Sequence, residues 1–136
     1  TVSSLAPGFA ERLHTEPGFA HVRWDGHEDV AVTTLDALIA AHGIPRFVKI
    51  DTEGFEAEVL RGLSHPVAWI AFEHLPATPD LARACLARIG ALGDYRFNLV
   101  EGEDARFALA DWQDARAMAI TLATRRRSGD VYARHA

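Results

Sequence analysis

Apolar positions along this chain switch repeatedly between two spacings. Phe47, Val48 and Ile50 form a run short enough to be a buried strand. Two acids one residue apart follow, Asp51 and Glu53, then Gly54, then Phe55, Val59, Leu60 and Leu63 at helical spacing. Upstream, Val30-Ala31-Val32 reads as a short strand, and Thr33 or Thr34 is placed to cap a helix carrying Leu35, Leu38 and Ile39 on one face, with Asp36 in its first turn. His42-Gly43 and Pro45 end that helix. Downstream, residues 67–72 are nearly all apolar, as in a strand covered on both faces, and they run into Glu73-His74. A helix from Asp80 carries Leu81, Cys85, Ile89 and Leu92 and stops at Gly93. Residues 95–100 alternate as a strand, 106–109 suggest a short one, and 111–124 read as a helix with Trp112, Ala115, Ala119 and Leu122 inward. Val131-Tyr132-Ala133 closes the pattern as a short final strand. Strands alternating with helices of about a dozen residues predict one α/β domain over residues 1–136 with a largely parallel sheet. The first 28 residues are weakly patterned, with turn signals at Pro7-Gly8, Pro17-Gly18 and Trp24-Asp25-Gly26.

Composition narrows the function classes. The chain has 136 residues, is 49% hydrophobic and 24% charged, and carries a formal net charge of −5 without a basic stripe, which argues against nucleic acid as a partner. Arg125 to Arg127 read as the solvated end of a helix. The single cysteine, Cys85, excludes an intramolecular disulfide, and its apolar helical setting makes it a core residue. No signal peptide and no apolar run near ~18 residues is present, so a soluble, cytoplasmic protein is expected. The chain begins at Thr1 without a methionine.

Acids at the carboxyl ends of buried strands mark where open α/β sheets bind ligands. On a regular strand Asp51 and Glu53 share a face, and Glu73 ends the next strand, so three carboxylates and His74 are expected to converge at one edge of the sheet. Such a cluster can abstract a proton, hold a cation or bind hydroxyls. The structural alternative is plain as well: Lys49 pairs with a neighbouring acid, Glu53 lies in the first turn of the helix, and Glu56 and Glu58 fit a solvated helix face. The seven histidines are scattered, no HExxH spacing occurs, and no metal is assigned. Neither a nucleophile elbow nor a glycine-rich phosphate loop is present.

Thr34-Leu35-Asp36, then residues 48–56 (VKIDTEGFE), then Val59-Leu60-Arg61-Gly62 and Phe72-Glu73 resemble the FkbM family of S-adenosylmethionine-dependent methyltransferases. Ser3-Ser4-Leu5 is similar to a short serine motif ahead of the TLD segment, and residues 129–133 are similar to the family's last strand. The resemblance implies a Rossmann-like methyltransferase fold, three-layered with a mostly parallel sheet, and methyl transfer from S-adenosylmethionine to a hydroxyl of a small molecule or sugar. It implies catalytic roles for Asp51, Glu53 and Glu73 and substrate contacts for Ser3, Ser4 and His74. The cofactor-binding residues stay open, Asp51 being the one candidate. The family's N-terminal cofactor-binding strands have no counterpart here, so the chain is expected to be the C-terminal portion of such a domain, with an exposed sheet edge through which it self-associates. Two other readings stand beside this one: a non-catalytic α/β interaction module that assembles through that edge, and a metal-dependent hydrolase built on the same acids and His74.

Overall fold

In the computed structural model, which describes residues 3–6, 8–9, 26 and 28–136, helices and strands alternate. They are α1 (Leu35–His42), β1 (Phe47–Ile50), α2 (Glu56–Arg61), β2 (Trp69–His74), α3 (Pro79–Gly90), β3 (Tyr95–Glu101), α4 (Ala115–Thr124) and β4 (Gly129–His135). Local chemistry explains their ends. Thr34 accepts a hydrogen bond from the Ala37 amide and Asp114 one from the Ala117 amide, each satisfying an orphan donor of its helix. Gly43 closes α1 at φ 87°, a conformation only glycine adopts cheaply.

The sheet order is β1-β2-β4-β3. β1 and β2 are parallel, and β4 is antiparallel to both of its neighbours. The expected mostly parallel sheet is therefore corrected: two of the three pairings are antiparallel. The physical reason is that apolar patterning reports a strand's burial, not its direction or its place. The segment expected as a short last strand is seven residues long and lies between β2 and β3. β1, β2 and β3 consequently run one way, and their carboxyl ends meet the start of β4, with Glu73 opposite Asp130 and Glu101 opposite Gly129.

One face of the sheet carries the core. Ile50, Ile70, Phe72, Phe97, Leu99, Val131 and Ala133 pack with Leu60, Leu63, Cys85, Leu86, Ile89, Met118 and Leu122. Helices α2, α3 and α4 lie side by side there, and Arg88 of α3 donates to the Leu60 and Leu63 carbonyls at the end of α2. Cys85 is fully buried and its thiol is pushed up to about 12 by burial, so it is a packing residue, as its setting predicts. α1 joins this side through Leu35 and Ile39. The opposite face is covered by rings instead of helices: Phe107 and Trp112 lie edge-on to Tyr132 and Trp69, and Arg134 sits 4.7 Å over Trp112. The three-layer arrangement is thus not seen among the described residues.

Four smaller expectations change. Residues 28–34 are exposed and form neither helix nor strand, so the strand expected at 30–32 is not seen. Residues 106–109 form no strand; they follow β3 through isolated bonds such as Ala108 N to Leu99 O at 2.7 Å. The last helix starts at Ala115, so Trp112 precedes it and serves the other face. Arg125 and Arg127 are paired with Glu101 and Asp104, which ties the acidic loop after β3 to the end of α4. Of the early turn signals, Pro7, Pro17-Gly18 and Trp24-Asp25 lie outside the described residues.

Candidate active site

β1 stops at Ile50, so Asp51 and Glu53 are not brought to one side by strand alternation. A tight loop does it instead. Glu53 is the one described non-glycine residue at positive φ (51°), a backbone state that costs about 1–3 kcal/mol and persists only when its surroundings enforce it. Three groups surround it. The Glu56 carboxylate accepts from the Thr52 amide (3.0 Å), the Thr52 hydroxyl (3.2 Å) and the Gly54 amide (3.2 Å). The Ser4 hydroxyl donates to the Glu53 carbonyl at 2.5 Å. Phe9 presses on Gly54 (φ 94°), where a Cβ would stand 2.1 Å from the ring. Glu53 therefore lies ahead of α2 and outside its first turn, because the loop is pinned on both sides of it.

The outcome is a triad of carboxylates. One oxygen from each of Asp51, Glu53 and Glu73 lies within 4.8 Å of the others. Charge crowded in this way disfavours ionisation. Glu73 is pushed up to about 7, first by burial and then by Glu53, Asp51 and Glu56, with Lys49 acting in the opposite sense. Burial, then Asp51 and Glu56, also raise Glu53, one of whose carboxylate oxygens is buried with no hydrogen-bond partner among the described residues. Lys49 bonds Asp130 of β4 and lies 3.8 Å from Asp51, so it bridges over β2 beside Glu73. Burial alone would lower the Lys49 pKa, but Asp130, Asp51 and Glu73 together raise it and keep the ammonium charged.

His74 is not part of this group. It follows Glu73 on β2 and so points to the other face of the sheet, where it is 1% exposed, neither ring nitrogen has a hydrogen-bond partner among the described residues, and burial lowers its pKa. Of the two serines, Ser4 reaches the loop through its hydroxyl, whereas Ser3 is exposed. Glu58 is exposed and pairs with Arg61, but Glu56, expected on the same solvated face, is 1% exposed. Its place at the head of α2 is the reason: the side chain turns back onto the amides of residues 52 and 54. The spacing Thr52-x-Gly54-x-Glu56 is the signal for it, but in sequence that spacing reads equally well as an acid favoured by the helix dipole.

Carboxylate oxygens suit a hard cation, a hydroxyl hydrogen or an organic cation such as a sulfonium. The comparison with known families distinguishes among protein classes. The profile of the methyltransferase FkbM domain matches residues 3–80, more than half the chain, from the serine pair through all three carboxylates to the start of α3. This is a methyltransferase-class sequence. The chain belongs to the FkbM methyltransferase family, which implies S-adenosylmethionine as methyl donor. No curated protein matches it. Among the described residues, no helix is long and apolar enough to cross a membrane.

Proposed function

We propose that this chain carries the acceptor side of an S-adenosylmethionine-dependent O-methyltransferase acting on a hydroxyl of a small molecule or sugar. The observation that supports this reading is the triad of Asp51, Glu53 and Glu73 at the strand ends, with one member titrating near neutrality. When bound, S-adenosylmethionine supplies an electrophilic methyl group on a cationic sulfonium. The chain's own donor set fits that cationic end, because three acids concentrate negative charge there. Glu73, half ionised near pH 7, is matched to accept the acceptor's hydroxyl proton as the methyl carbon would exchange its bond to sulfur for one to the acceptor oxygen, the sulfur leaving as a neutral thioether. Asp51 and Glu53 hold the acceptor hydroxyl in line, and they keep negative charge beside the sulfonium when the transferred proton neutralises Glu73.

The test is transfer of a labelled methyl group from S-adenosylmethionine to a panel of phenolic and sugar hydroxyls, together with calorimetric titration of the chain with S-adenosylhomocysteine. Glu73→Gln is expected to lower turnover by about 10²–10⁴-fold, the usual worth of a general base. Unaltered turnover in that variant would remove Glu73 as the base.

A further inference from the structure

The cluster rests on a residue that takes no part in it directly. Glu56 is almost fully buried, and a single oxygen of its carboxylate, Oε1, receives all three donors described above, two of them backbone amides. Those amides belong to Thr52 and Gly54, the residues on either side of Glu53. With both neighbours fixed to one point, the chain between them has to double back within one residue. Glu53 meets that demand by adopting φ 51°, which turns its carboxylate toward Asp51 and Glu73. We infer that Glu56 is the positioning residue of the site, and that its reach from the head of α2 is what brings two acids of the loop after β1 and one acid of β2 into one cluster. This inference rests on the acceptor-side reading for its functional meaning, but its geometric content stands apart from any turnover.

Ordinary helix-capping would stabilise α2 without affecting how Glu53 and Glu73 interact. Positioning makes a different claim, namely that the interaction between those two acids depends on the reach of residue 56. Two conservative variants separate reach from charge. Glu56→Gln keeps the accepting oxygen at the same distance and removes the charge. Glu56→Asp keeps the charge and withdraws the carboxylate by one methylene, too far to hold both amides.

The experiment follows the titration of the Glu73 side-chain carboxyl by NMR in the 136-residue chain labelled at glutamate. Each background is measured with and without Glu53→Gln. The groups facing Glu73 are Glu53, Asp51, Glu56 and Lys49, with Asp130 opposite it in register. In the unaltered chain Glu53→Gln is expected to lower the Glu73 midpoint, since a neighbouring negative charge is removed. The same lowering is expected in Glu56→Gln, and it is expected to be lost in Glu56→Asp. A full response in Glu56→Asp, or a lost response in Glu56→Gln, overturns the proposal. Amide exchange at residues 52 and 54 supplies the second measurement: protection retained in Glu56→Gln and lost in Glu56→Asp supports the clamp, and the reverse pattern refutes it. If methyl transfer is found, Glu56→Asp should lower kcat by up to about 10²-fold, as displacement of a reacting group by roughly 1 Å does. If no methyl transfer is found with any acceptor, the functional reading fails while the titration still decides the role of Glu56.

Discussion

The two edges of the sheet are finished in opposite ways. At β3 the chain returns and closes the edge. Phe97 exchanges both backbone bonds with Gln113, and the buried Asn98 holds the amide and carbonyl of Leu109 through its side chain. At β1, among the described residues, pairing is on one side only, with β2. Phe47 there is 48% exposed, and on the helix side of β1 a cavity of about 230 Å³ is lined by Leu35, Ile39, Val48 and Leu63. Unpaired edge groups and uncovered apolar surface both favour association with another strand. The difference teaches where this fold is self-sufficient. The closed edge contributes stability, while the open edge adjoins the strand that delivers Asp51 to the site.

The largest expected effect comes from opening the closed edge. Asn98→Ala leaves the Leu109 amide and carbonyl without partners and should cost roughly 2–3 kcal/mol in urea denaturation. A loss below about 0.5 kcal/mol, the size of an ordinary surface change, would show that the side-chain bridge is dispensable.

A smaller effect is expected at the strand ends, and its sign depends on pH. Glu73 titrates near 7 in the fold against an ordinary 4.5, so the folded chain holds this proton more tightly than the unfolded one. Its contribution is therefore fully present below about pH 4.5 and is lost as pH rises toward 7. Glu73→Gln should remove that decline and raise stability above pH 7 by about 1 kcal/mol, a figure reduced for solvent screening. Thermal melts of both proteins between pH 5 and pH 8 would check this. A constant gap across that range would mean that Glu73 carries no folding-linked proton.

The smallest effect on stability is expected at the open edge. Phe47→Thr should change monomer stability by no more than about 0.5 kcal/mol, since half of the ring is already in water. The same substitution tests association. We propose that a second copy pairs along β1, in which case size-exclusion chromatography should show a dimer that Phe47→Thr weakens. A concentration-independent monomer in the unaltered chain would dismiss that partner.

Much of this molecule is legible in its residues taken alone. The alternation of strands and helices, a threonine cap at position 33 or 34 (Thr34 in the fold), the burial of Cys85 and the acids at the ends of β1 and β2 all follow from local spacing and from which side chains water rejects. These features depend on neighbours within a few positions, so a linear pattern contains them. Features that depend on distant partners were decided only by the tertiary structure. β4 runs backward through the middle of the sheet because it finds partners on both sides, which its short apolar run of Val131, Tyr132 and Ala133 does not encode. Lys49 chooses Asp130 from a strand that is not its neighbour. Glu56 is the exception, since the amides it serves lie only two and four residues before it; its spacing reads equally well as an acid favoured by the helix dipole, and only the folded loop, with Glu53 in a left-handed backbone between two held neighbours, shows which it is. Spacing brought the acids to the end of the sheet, but it took loop geometry, enforced by contacts from Ser4, Phe9 and Glu56, to bring them together.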